Sequence, residues 1–221
     1  MNHREMVYQM KKKRIVVSVA FAVQAVRFTE SRALMIYTIT GPSGSGKSTL
    51  LRRIFLLRPD QFIRIVTSTT RLPRKMENDG EDYDFEPRPK DFETFQAHHF
   101  ASIDFDGNFY GIPQYAMLDF SRKEKDVIVI LDPQGALELR HKYPGKTCNI
   151  FIQISKNRAR SHLWRRDWKA GKKRLKADVA AGFYDADKIP YDHVICNQGN
   201  MGSMVKDFLD YADAKSSQLA P

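Results

Sequence analysis

The stretch Met35 to Leu51, MIYTITGPSGSGKSTLL, constrains this chain more than any other. Apolar residues alternate through Met35, Tyr37 and Ile39, the pattern of a strand, and then give way to a glycine-rich turn. Gly41, Pro42, Ser43, Gly44, Ser45, Gly46, Lys47 and Ser48 fit the phosphate-binding pattern G-x-x-x-x-G-K-[ST] without a mismatch. A helix is expected from Thr49 onward, ending near Leu57 ahead of Pro59. Glycines let the backbone fold back so that several N–H groups point inward as an anion nest, and the positive end of the following helix adds to it. In such a loop Lys47 reaches the β- and γ-phosphates of a nucleotide and the Ser48 hydroxyl ligates Mg²⁺. Strand, loop and helix occur in the order the pattern requires, which argues against a chance Gly/Ser loop.

The composition is compatible with one such domain. The chain has 221 residues, 42% of them hydrophobic, enough for a core. Its formal net charge is +10. Basic clusters of this kind suit nucleic acid, anionic lipid or phosphorylated small molecules, and a phosphate loop makes the last sufficient. No run of aromatics interleaved with Lys and Arg argues for a nucleic-acid module, so neither nucleic acid nor membrane is expected as a partner. Cys148 and Cys196 form no C-x-x-C or zinc-spaced cluster and read as packing residues in a reducing, cytoplasmic setting. Monomer and homodimer remain equally open.

Residues 1–34 stand apart. Lys11 to Arg14 is basic and Ile15 to Val26 is apolar, an arrangement like a short signal peptide but too short to span a bilayer. A dispensable extension ahead of a domain over 35–221 is the expectation. Within that domain, strands are expected over 62–67, 83–85, 100–105, 109–111, 126–132, 147–154 and 193–196. Helices are expected over 89–97, 113–122, 133–143, 156–166, 175–184 and 204–214, with a basic loop over 168–173. The run Val127 to Leu131 is continuously apolar, as in a central parallel strand, and Asp132 follows it at the end where ligands gather in open α/β sheets. The fold class is therefore α/β: a central parallel sheet flanked by helices, with a small mixed α/β lobe inserted over about 70–122.

The second segment resembles the guanylate kinase family. The resemblance rests on Thr67-Ser68-Thr69-Thr70-Arg71-Leu72-Pro73-Arg74, then Glu77, Asp79-Gly80, Asp82-Tyr83 and Phe85. Gly107-Asn108-Phe109-Tyr110-Gly111, Asp132-Pro133-Gln134-Gly135 and Tyr191 to Asn197 follow in family order, so that it covers roughly Met35 to Phe208. It implies a core binding ATP with Mg²⁺, a lobe binding a phosphate acceptor such as GMP or dGMP, and a mobile lid. By that resemblance Ser68, Arg71, Arg74, Tyr83 and Tyr110 hold the acceptor's phosphate. Asp132 lies beside acceptor and metal, and a helix N-cap ahead of Pro133 is compatible with that role. The lid falls over about 158–174, with Arg165, Arg166 and Arg174 closing on the phosphates. Trp164 and Trp168 read as packing residues.

Three positions depart from the family pattern. Ser102 stands where a glutamate reads guanine, Ile112 where a serine or threonine does, and Ile130 where a second acid often precedes Asp132. One hydroxyl does not replace a carboxylate that accepts two donors, and each bond left unmade in a closed site costs about 1–3 kcal/mol. Asp104, two residues beyond Ser102 on the same strand face, is the candidate replacement. The implied activity is transfer of the ATP γ-phosphoryl group to a nucleoside monophosphate. Transfer to another or modified deoxynucleotide or to ribose 1,5-bisphosphate, and a non-catalytic binding domain of the same shape, are the alternatives; the intact Gly46, Lys47 and Ser48 weigh against the last.

Overall fold

The computed structural model describes residues 34–74, 77–116 and 125–218. The expected extension lies outside the described residues, except for Leu34. Five parallel strands form the central sheet: β1 (Ile36–Thr40), β2 (Phe62–Arg64), β7 (Asp126–Ile130), β8 (Thr147–Gln153) and β9 (His193–Cys196), in the spatial order β2-β7-β1-β8-β9. β1 sits at the centre, with Ile36 opposite both Val127 of β7 and Thr147 of β8.

Alternation along β1 sorts its side chains to two layers. Tyr37 and Ile39 face α1 (Lys47–Leu57) and α6 (Met201–Gln218), packing with Leu50, Leu51, Ile54, Met204 and Phe208. Ile36 faces the other way, with Val127, Val129, Ala136 and Leu139, where α3 (Pro133–Lys142) covers the sheet. The Tyr37 ring meets Phe208 edge-on at 5.5 Å and Phe62 at 6.2 Å, which ties the sheet to α6.

A second, mixed sheet has the order β4-β3-β6-β5, from β3 (Ser68–Thr69), β4 (Asp84–Phe85), β5 (His99–Phe105) and β6 (Asn108–Pro113), with α2 (Phe92–Gln96) beside it. Asp91 caps α2 by accepting the Thr94 N–H at 2.9 Å. Phe92, Phe95 and Phe109 pack ring against ring beneath the sheet. The helix expected over 113–122 begins at 114–116; the rest lies outside the described residues.

The expected strand over 62–67 stops at Arg64, and the loop that follows contains β3 and β4. The basic loop expected over 168–173 is helical. α4 (Lys156–Arg166) is followed by α5 (Trp168–Ala180), because Asp167 breaks the first helix and caps the second through the Ala170 N–H at 3.0 Å. Lysine and arginine are good helix formers, and a basic run without Gly-Pro punctuation does not itself end a helix.

Burial raises the pKa of several tyrosines. The Tyr184 phenol is pushed up to about 12 by burial first and by the Asp178 charge second, and burial also raises Tyr115 and Tyr211. The stability owed to Tyr184 is fully present below its ordinary value of 10 and is lost as pH rises to about 12, because the unfolded chain releases a proton that the folded chain keeps. Unfolding followed by circular dichroism should therefore coincide with the rise of tyrosinate absorbance in that window.

Candidate active site

The glycines do at the loop what the pattern demands. Gly41, Gly44 and Gly46 have φ of 132°, 79° and 97°, conformations that L side chains rarely adopt. Gly46 opens α1 in the left-handed region, and no side chain caps that helix. Ser48 and Thr49 lie in its first turn. The Lys47 ammonium is folded onto the loop, donating to the Gly41 carbonyl at 2.6 Å and the Pro42 carbonyl at 2.9 Å. From outside, Asn197 Nδ2 donates to the Ser45 carbonyl at 2.8 Å, and a His162 ring nitrogen lies 2.8 Å from the Gly44 carbonyl. Asn197 stood in the quoted Tyr191–Asn197 motif without a role; here it fixes the loop from β9. An uncapped helix start, a glycine cradle and a lysine form a donor set that fits a polyphosphate, with Ser48 and Asp132 available for a divalent cation.

Asp132 follows β7, the neighbour of β1. Its Oδ1 accepts the Gln134 N–H at 2.9 Å and the Gly135 N–H at 3.2 Å, so it caps α3. Burial raises its pKa, against the pull of those bonds. It also lines a cleft of about 110 Å³ that runs from Gly41, Ser43 and Lys47 to Tyr83 and Tyr110, with Arg174 and Asp178 on one wall. A larger groove of about 460 Å³ between α1 and α6, lined by Arg53, Leu57 and Val205 among others, holds none of the loop residues.

Behind Tyr83, and not among the residues that line the cleft, two arginines share one carboxylate. Arg71 donates Nη1 and Nη2 to the two Glu77 oxygens at 2.6 and 2.9 Å, and Arg74 donates Nη1 at 3.1 Å. Arg71 lies over the Tyr83 ring at 4.9 Å, and its Nε–H is buried without a partner. Burial alone would lower the Arg71 pKa; its bonds to Glu77 and the charge of that acid more than offset this and raise it. Burial likewise acts upward on Glu77, and the two arginines overcome it and hold the acid low. Tyr83 and Tyr110 meet edge-on at 6.1 Å. Ser68, fully buried, donates Oγ to Glu86 Oε1 at 2.5 Å.

Ser102 and Ile112 are not among the residues that line the cleft. The ladder between β5 and β6 is irregular between Phe100 and Ile103, where Ala101 takes φ 49°. Beyond it Ile103 pairs with Tyr110 and Asp104 with Phe109. Directly opposed residues share a face, so Ile103 points to the cleft with Tyr110, and exposed Asp104 lies on the Phe109 side. Ser102 Oγ donates to the His99 carbonyl at 3.3 Å, and Ile112 is fully buried. Ala101, Ile103 and Phe105 line the cleft instead. Arg174 reaches the loop, donating Nε to Ser43 Oγ at 2.6 Å, whereas the Arg166 side chain lies outside the described residues.

A phosphate loop following the central strand of a five-stranded parallel sheet, with Tyr83 and Tyr110 of the second lobe in the same cleft, defines a P-loop nucleotide-binding protein of α/β architecture. The chain belongs to the guanylate kinase family, whose model, described as Guanylate kinase, matches residues 32–211. It is 30% identical over 168 residues to the guanylate kinase of Desulfitobacterium hafniense, covering 74% of this chain and 82% of that one. It is 37% identical over 118 residues to that of Trichormus variabilis, covering 53% and 58%. Against that protein and a Nostoc guanylate kinase, the match thus spans little more than half the relative's length. The crystal structure of guanylate kinase from Anaplasma phagocytophilum shares the fold, with a TM-score of 0.60 at 23% identity over 86% of this chain and 89% of that one. Among the described residues no helix is long and apolar enough to cross a membrane.

Proposed function

We propose that the chain transfers the γ-phosphoryl group of ATP to GMP or dGMP. The observation that carries this reading is the single cleft with Lys47 and the phosphate loop at one end and Tyr83 and Tyr110 at the other, Arg71 lying over the Tyr83 ring. ATP occupies the loop, where Ser48 and Asp132 would hold Mg²⁺. The metal neutralises charge on the phosphates when bound. Arg71 and Arg74 grip the acceptor's phosphate by charge-assisted forks, and the unpartnered Arg71 Nε–H adds one more donor. Tyr83 and Tyr110 supply neutral donors, whereas the buried Ser68 hydroxyl is committed to Glu86. An acceptor phosphate oxygen is already anionic, so catalysis is positioning and charge neutralisation rather than base removal of a proton.

In this reading residues 70–122 form the acceptor lobe and 158–174 the lid, whose Arg166 and Arg174 close over the phosphates and keep water from the transfer. The resting place of the enzyme is the cytoplasm, and its partners are small molecules. The test is ADP release from ATP across GMP, dGMP, AMP, CMP, UMP, dTMP and ribose phosphates. Turnover of GMP or dGMP is expected. Turnover of another acceptor alone would move the assignment, and ATP binding without turnover of any would point to a binding domain.

A further inference from the structure

A carboxylate sits against the phosphate loop. Asp178, near the end of α5, is 1% exposed. Its Oδ2 accepts the Ser43 N–H at 2.6 Å, and its Oδ1 is buried without a partner. Arg174, one turn earlier and so on the same helix face, bonds the same serine through its hydroxyl. Burial raises the Asp178 pKa, while its bonds to Ser43 and the charges of Lys47 and Arg74 oppose that rise; Tyr184 is its other titratable neighbour. No ion pair to Asp178 is recorded among the described residues. An acid desolvated this far with one oxygen unsatisfied opposes stability, unlike a buried acid in a completed network.

α5 and the turn that follows it are held down as well. Lys173 Nζ lies 2.9 Å from Asp106 Oδ1 at the β5–β6 turn, and Phe183 stacks on Phe105 at 5.2 Å. The cleft beneath encloses about 110 Å³. Arg174 and Asp178 of α5 form part of its wall, beside the phosphate loop. Opening that wall moves α5, and moving α5 withdraws Asp178.

We propose that Asp178 is an internal anion that occupies the edge of the phosphate loop when no nucleotide is bound, latching α5 shut until a nucleoside triphosphate displaces it. The inference rests on the reading of the loop as the ATP site. A carboxylate and a terminal phosphate compete for Ser43 and for the field of Lys47, Arg74 and Arg174. Displacement returns the carboxylate to water, and Arg174 is then free to exchange Ser43 for a phosphate oxygen.

Asp178→Asn keeps the side chain's shape and an acceptor for the Ser43 N–H but removes the charge. Titration calorimetry with ATP and, separately, with tripolyphosphate should show this variant binding both about tenfold more tightly than the wild type. A merely structural Asp178 would instead lose affinity or leave it unchanged. Asp106→Asn is a surface substitution at a left-handed position that asparagine tolerates, and it frees α5 from the hairpin without touching the loop. Stopped-flow tryptophan fluorescence should show it binding ATP several-fold faster, and this decides the matter if Asp178→Asn does not fold. A wild type that binds neither ATP nor tripolyphosphate would overturn the donor-site reading and the latch together. A wild type that binds both, with Asp178→Asn no tighter or Asp106→Asn no faster, would overturn the latch alone.

Discussion

Replacing Lys47 with methionine should lower turnover by at least about a thousandfold, some 4 kcal/mol of transition-state stabilisation, in the range seen when one preorganised donor to developing charge is removed. Methionine has nearly the length and volume of lysine without the ammonium. Among the resting bonds of Lys47 are those to the Gly41 and Pro42 carbonyls and to Ser45 Oγ, all within the loop itself, so the strands and helices around it keep their own bonds. Thermal unfolding of Lys47→Met should therefore stay within a few degrees of the wild type while steady-state ADP release collapses. Lys47→Arg should rescue poorly, because a planar guanidinium cannot take up the compact position between two carbonyls that lie 2.6 and 2.9 Å from one nitrogen. A variant that kept near wild-type turnover would remove the loop from the chemistry.

Gly41→Ala should be the most damaging small substitution, costing about 3–5 kcal/mol. Two penalties coincide there. The φ of 132° is open to glycine and strained for alanine. A Cβ would also stand 2.6 Å from the Ile152 carbonyl oxygen and 3.3 Å from the Ile152 nitrogen, both backbone atoms of the adjacent strand β8. Neither can retreat without breaking the β1–β8 ladder, where Thr40 pairs with Phe151. Gly145 provides the control. It has φ 73° but nothing within 4 Å of a built Cβ, so Gly145→Ala carries only the left-handed penalty, about 1 kcal/mol. Denaturant unfolding of the two variants checks the contrast, and equal losses would overturn the close-approach argument.

Much of the fold could be read before any coordinates because its signals are local. The strand–loop–helix from Met35 carries its geometry in glycine spacing, and the apolar run over 127–131 marks a doubly buried strand by composition alone. Asp167 stood where a cap belongs, yet the density of lysines and arginines around it suggested a loop, so the helix over Trp168–Ala180 was divided wrongly. The acceptor wall is less legible. Ser102 and Ile112 are placed by resemblance and Asp104 by strand alternation, and the irregularity at Ala101 interrupts that alternation, so that Ala101, Ile103 and Phe105 line the cleft. No sequence pattern announces Asp178. Its contact with Ser43 spans 135 residues and depends on how α5 packs over the loop.

The sheet order also sets a timetable for synthesis. β1 is made early but lies between β7 and β8, whose residues emerge roughly a hundred positions later, after the whole second sheet. On a ribosome releasing the chain from its N-terminus, the phosphate loop has no rigid floor until Thr147–Gln153 has cleared the exit. Residues 68–113 can meanwhile pair among themselves, since β3, β4, β5 and β6 need no strand from outside. The half that grips the acceptor is thus free to assemble first, and the half that holds the donor is completed around it.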